Sequence, residues 1–193
     1  MEAEIWRNLQ VPIHDRTATS LAPNASPLGW IKPPETWVKC NIAASWVPSS
    51  CLSGGAWIVR NASGSVVFHS RRSFSNLDST LLTDLTSLQW SIEAMSSLQM
   101  DKVMFETSSE VLKVAFLRRS SSPRINQLVA DILQKLNSFT DWRLSHVENE
   151  RNKVASLIAR SVTLDNRFHS YVATGGPSWL QHILAQESAM API

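Results

Sequence analysis

The chain has 193 residues, of which 44% are hydrophobic and 18% charged. That supplies one packed domain with modest extensions and excludes a disordered or strongly solvated chain. The formal net charge of +2 does not by itself argue for nucleic acid, so the placement of the basic residues matters more than their sum. Two cysteines, Cys40 and Cys51, can build neither a disulfide framework nor a four-thiolate zinc site, and they read as small core residues in a reducing compartment. No basic region followed by an apolar run opens the chain, and no apolar stretch reaches membrane-spanning length. The expectation is a soluble intracellular protein, nuclear or cytoplasmic, with no membrane partner.

Residues 1–36 read as a flexible Pro/Ser-rich extension, with Pro12, Pro23, Pro27, Pro33 and Pro34 breaking helix and sheet alike. Ile5, Trp6 and Leu9 could make one amphipathic turn. The pattern then changes. Trp37–Ala43 alternates as a strand, Ala56–Arg60 is a second, and Val66–His69 a third. Asn61-Ala62-Ser63-Gly64 joins the last two as a hairpin. Leu81, Leu85, Leu88, Ile92 and Met95 recur at helical spacing over 79–98, with Asp78 or Ser79 as cap. Lys102–Glu106 is a short buried strand. Ser108 or Ser109 can cap a helix running to about Arg119, and Pro123 opens another through Leu136. Asp141–Val147 is a fifth strand, and residues 150–161 form a last core helix. After Asp165, Gly175-Gly176-Pro177 breaks the chain before a short helix through Trp179, Leu180, Ile183 and Leu184. Domain bounds are thus 1–36, 37–164 and a tail at 165–193. Strands joined by helices late in the chain pair in parallel, so the economical arrangement is a mixed five-stranded sheet with helices on both faces, an α/β fold.

This order, and the residues within it, resemble the ribonuclease H family, in particular its plant reverse-transcriptase-like branch derived from non-LTR retroelements. The likeness covers roughly residues 30–185 and rests on several pieces in sequence. They are Trp37–Ile42 with Ala44-Ser45-Trp46, Gly54–Asn61, Leu88-Gln89-Trp90, Phe105-Glu106, Asp141-Trp142-Arg143, and His146-Val147 leading to Asn152–Ala155. Ser170–Ala173 and Gly176–Leu180 add the tail.

The resemblance implies a ribonuclease H-like fold and cleavage of the RNA strand of an RNA/DNA hybrid by two Mg²⁺ ions, roughly 4 Å apart. Such close dications need negative oxygen ligands, and the family supplies three Asp and one Glu. At the matching positions this chain has Ala43, Asp84, Ser108 and Ser156. One anionic ligand survives. Asp84 falls about 60° from the centre of the Leu81/Leu85/Leu88/Ile92 stripe, at the edge of a buried face. It reads as a vestigial metal position, or else as a first-turn Asp favoured by the helix dipole. Ser108 can hold a helix cap without a ligand. Glu106, Glu110, Glu148 and Glu150 lie near lost positions, Glu106 as a family-like residue and the others as a solvated rim. His146 matches the family's His before the last helix.

The expected function is therefore nucleic-acid binding without cleavage, in a homologue of RNA/DNA-hybrid ribonuclease that has lost its catalytic set. Phosphate contacts would come from Arg71, Arg72, Arg118, Arg119, Arg151 and Lys153, with Arg124, Arg143 and Arg160 as further basic residues. The expected partner is an RNA/DNA hybrid or double-stranded RNA. No cofactor is expected, and Mg²⁺ or Mn²⁺ would matter only to residual activity. Three other readings compete: an active ribonuclease with a makeshift metal site, a protein-interaction module, and a retroelement remnant without selected function.

Overall fold

In a computed structural model, residues 29–190 are described. The turn expected around Ile5, Trp6 and Leu9, and Pro12, Pro23 and Pro27, lie outside them. Six strands form a single sheet: β1 Val38–Val47, β2 Leu52–Arg60, β3 Val66–Phe74, β4 Lys102–Thr107, β5 Asp141–His146 and β6 Tyr171–Thr174, in spatial order β5-β4-β1-β2-β3-β6. The sequence led us to expect five. The sixth is a four-residue strand in the tail that pairs antiparallel with β3, Phe68 opposite Thr174 through Arg71 opposite Tyr171. It is too short to show a period of two clearly, and only the open edge of β3 makes it a strand. The first three strands form an antiparallel meander, and β4 and β5 add in parallel.

Among the described residues five α-helices follow in chain order: α1 Thr80–Ser97, α2 Glu110–Leu117, α3 Pro123–Leu136, α4 Lys153–Thr163 and α5 Gln181–Met190. Ser79 caps α1, accepting from the Leu82 N–H. Since α1 starts at Thr80, Asp84 stands past its first turn, so the dipole reading of this residue does not hold. Ser109 rather than Ser108 caps α2, accepting from the Leu112 N–H. Helices α1 to α3 cover one sheet face, packing Leu85, Leu88, Ile92 and Ile132 with Cys40, Ile42, Trp57 and Val59. Helices α4 and α5 cover the other, where Val154, Ala155, Ile158 and Leu184 meet Ala43, Ala56 and Ile58.

The pair Gly54-Gly55 lets both layers approach β2. A Cβ at Gly54 would sit 2.6 Å from the Cβ of Val162 on α4, and one at Gly55 would strike the Ser87 hydroxyl of α1. Each helix is drawn onto the sheet by the absence of that atom. Among the tryptophans, Trp57 is fully buried, and Trp37, Trp46, Trp90 and Trp142 are partly so. Cys40 is in the core, but Cys51 is exposed at the β1–β2 turn; the expectation of two core cysteines held for one. Trp30, in the segment read as an extension, is among the most deeply buried side chains.

Candidate functional site

Strand β1 carries Lys39, Asn41 and Ala43 on the α4 face, because alternate residues point the same way. Strand β4 lies beside it, with Asn41 opposite Glu106. The chain leaves β4 at Thr107, so Ser108 emerges past the end of Ala43's strand pair. Helix α1 delivers Asp84 from one side and α4 delivers Ser156 from the other. The four positions that the family comparison singled out thus meet in one cleft of about 670 Å³. Its wall also contains Ser109, Glu110, Glu150, Lys153 and Arg160.

The chemistry of the cleft is that of hydroxyls around one buried acid. Asp84 is 8% exposed. Burial pushes its carboxyl up to about 6, with the Ser109 hydroxyl partly opposing that shift by donating to Oδ2 at 2.6 Å. Ser109 therefore serves twice, as helix cap and as partner of Asp84. Ser156 Oγ donates back to the Asn152 carbonyl at 3.1 Å. Asn152, fully buried, donates from Nδ2 to the Ile42 carbonyl at 2.8 Å and to Ser108 Oγ at 3.3 Å, tying β1, the β4 exit and α4 together. Sequence reasoning placed Asn152 only within a motif and Ser109 only as a possible cap. Their hydrogen bonds to the cleft residues required the fold.

A pair of divalent cations does not fit this donor set. Ala43 offers no donor atom, and Ser108 and Ser156 offer neutral hydroxyls that already have partners. Glu110 at the wall meets Lys113 and His146, each at 3.2 Å. Glu150 faces Lys153 at 3.9 Å. Glu106 is turned away into a buried pair with Lys39 at 2.7 Å, and Glu148 is exposed at a turn. Among the described residues, no group of three or more His, Cys, Asp or Glu side chains could hold a metal ion.

The basic candidates divide. Lys153 and Arg160 stand at the cleft, with Ser156 between them on the same face of α4. Arg71 points to that side of the sheet, its guanidinium donating to Ser161 at 3.3 Å and lying over the Tyr171 ring. Arg72 points to the opposite face, over Phe74 and Trp90, because neighbours on a strand alternate. Arg118 and Arg119 are exposed past the end of α2, and Arg151 sits half-buried in the 3₁₀ turn Asn149–Asn152. His146, at the end of β5, bonds Glu110 and lies beside the cleft.

No match was found among curated proteins. Solved structures of ribonuclease H share the fold. RNase H1 from Halobacterium salinarum superposes with a TM-score of 0.61 at 15% identity, over 67% of this chain and 98% of that one. The N-terminal RNase H domain of a Mycobacterium tuberculosis protein gives 0.58 at 12% identity, over 67% and 97%. LC11-RNase H1, solved in complex with an RNA/DNA hybrid, gives 0.52 at 14% identity, over 63% and 91%. The reverse transcriptase-like family matches residues 41–162, a span that runs from Asn41 through the whole cleft to the end of α4. The chain belongs to that family, within the ribonuclease H-like superfamily.

Proposed function

We propose that this protein binds the backbone of an RNA/DNA hybrid or of double-stranded RNA and does not cleave it. The observation that carries the reading is the cleft itself. The four positions that the resemblance matches to the family's metal ligands line one cleft, and they carry one methyl, two hydroxyls and a single buried acid. Nucleic-acid binding is supported by the fold shared with a hybrid-bound ribonuclease. Lys153 and Arg160 beside the cleft, with Arg71 on the same side of the sheet, supply phosphate-directed charge. We place the chain in the plant, retroelement-derived branch on its motifs, and in the nucleus or cytoplasm. No helix among the described residues is long and apolar enough to cross a membrane.

A second reading, residual cleavage with a makeshift site, draws on Glu110 and Glu150 at the same wall as Asp84. One experiment addresses both. A labelled RNA/DNA hybrid is incubated in Mg²⁺ and then Mn²⁺ with the parent, with Asp84→Ala, and with the variant Ala43→Asp, Asp84→Glu, Ser108→Asp, Ser156→Asp. Binding is followed in parallel by anisotropy across a salt series. We expect a silent parent that binds with a steep salt dependence, and a restored variant that cuts. Cleavage by the parent that Asp84→Ala abolishes would establish the second reading.

A further inference from the structure

No Asp or Glu occurs between Glu110 and Asp131, a stretch that holds Lys113, Arg118, Arg119 and Arg124. Lys113 is paired with Glu110. Arg118, Arg119 and Arg124 are exposed, and their side chains meet no acid, acceptor or ring among the described residues. These arginines flank the α2–α3 loop, which also carries Ser120, Ser121 and Ser122. Hydrogen bonds sort the serines. The Ser120 N–H donates to Asn126 Oδ1 at 2.9 Å, and its carbonyl accepts from Asn126 Nδ2 at 2.8 Å. Its Oγ accepts from the Ser122 N–H at 3.1 Å. Ser120 is thus tied down to α3 and half-buried, as is Ser122, the cap residue of that helix. Ser121 between them is exposed, and its hydroxyl has no partner among the described residues. The backbone is extended at both ends of the loop, with φ, ψ of −134°, 133° at Arg118 and −86°, 117° at Ser122.

The loop therefore presents a free hydroxyl in open backbone, with guanidinium groups two and three residues before it. That is the charge pattern which arginine-directed serine kinases select with acidic subsites. We propose that Ser121 is phosphorylated by such a kinase and that the phosphate turns down nucleic-acid binding; the second half rests on the binding function proposed above. In the transfer, Ser121 Oγ bonds to the γ-phosphorus of ATP and the bond from that phosphorus to the β,γ-bridging oxygen breaks. The hydroxyl proton passes to the kinase's catalytic aspartate, and ADP leaves. The new group carries a charge of about −1.5 to −2 and three acceptor oxygens. Arg118, Arg119 and Arg124 all stand within three residues of it, and guanidinium groups hold phosphate by charge-assisted, bidentate bonds. Arginines engaged in this way are withdrawn from a nucleic-acid backbone, and the added negative charge repels that backbone. The start of α3 strengthens the hold. Ser122 makes no side-chain cap bond and the first turn contains no acid, so the positive end of the helix dipole is unmet.

The test incubates the folded full chain with an arginine-directed serine kinase and ATP, and maps the product by mass spectrometry. We expect one phosphate, at Ser121. Ser121→Ala should abolish incorporation, and Arg118→Gln with Arg119→Gln should slow it at least ~10-fold. Anisotropy of a labelled RNA/DNA hybrid across a salt series then compares the two forms. Phosphorylation should weaken binding at least ~10-fold near about 0.1 M salt, and make the log–log salt slope shallower by about 1–2, the loss of one or two phosphate contacts. Ser121→Ala should bind as the parent does, with or without kinase treatment. A melting temperature no lower after phosphorylation excludes unfolding as the cause. Incorporation only at Ser120 or Ser122, or none in the folded chain, overturns the site. Incorporation at Ser121 that leaves affinity and slope unchanged overturns the regulation. A parent that binds no hybrid overturns the binding function instead, and the mapping still decides Ser121.

Discussion

The sheet handles buried charge in opposite ways on its α4 face and in the cleft at the end of β1. Away from the cleft, Lys39 and Glu106 are almost wholly buried but pair at 2.7 Å. Lys39 Nζ also donates to the Ile31 carbonyl, Asn41 donates to Glu106 Oε2 at 3.0 Å, and the Trp30 indole donates to Asn41 Oδ1 at 2.8 Å. Arg60 lies over the Trp30 ring and pairs with Glu187 of α5 at 2.6 Å. This network pins residues on either side of the sheet domain, Trp30 and α5, onto the strands. Two residues further along β1, the cleft holds one buried acid with one hydroxyl donor. Burying a charge is tolerated where a counter-charge and hydrogen bonds accompany it. Where they are missing, burial favours the neutral form, and it raises the Asp84 carboxyl to about 6.

The largest effect that would break this contrast is at the paired end. Lys39→Met leaves Glu106 buried without its cation and should cost about 3–5 kcal/mol in urea unfolding. A loss below ~1 kcal/mol would mean that the network contributes little. At the cleft the sign reverses. A folded carboxyl at about 6, against about 3.9 unfolded, is protonated in both states at low pH and costs nothing there. As pH rises, the unfolded chain ionises first, so stability falls between about pH 4 and pH 7. Asp84→Asn keeps an acceptor for Ser109 and removes that slope. It should raise stability at pH 7 by roughly 2 kcal/mol and change little at pH 4; a variant less stable than the parent at pH 7 would refute the assignment. The smallest effect is Ser109→Ala, which loses the α2 cap and the donor to Asp84. About 1 kcal/mol is expected at pH 7, and less when Asp84 is already replaced by Asn, a coupling that a double-mutant cycle measures.

Much of the site was legible before the fold. Ala43, Asp84, Ser108 and Ser156 are the positions that the family resemblance implies, and they do converge in one cleft. Position along a strand or helix is a local property, and matching short motifs carries it. The partners of those residues are not local. Ser109 reaches Asp84 across 25 residues, and Asn152 reaches Ile42 across 110. Arg71 and Arg72 both stand among the expected phosphate contacts, but the pleat sends them to opposite faces.

By itself the sequence determined the order of the main elements, the α/β class and the resemblance to the ribonuclease H family. These rest on hydrophobic period, turn residues and residue identity, all of which act over a few positions. Only the tertiary structure decided that the tail closes the β3 edge, that Trp30 is core, that Ser109 holds Asp84, and which basic residues face the cleft. Those outcomes depend on which surfaces remain uncovered and which buried polar groups still need a partner once the sheet has formed, and no local window contains that information.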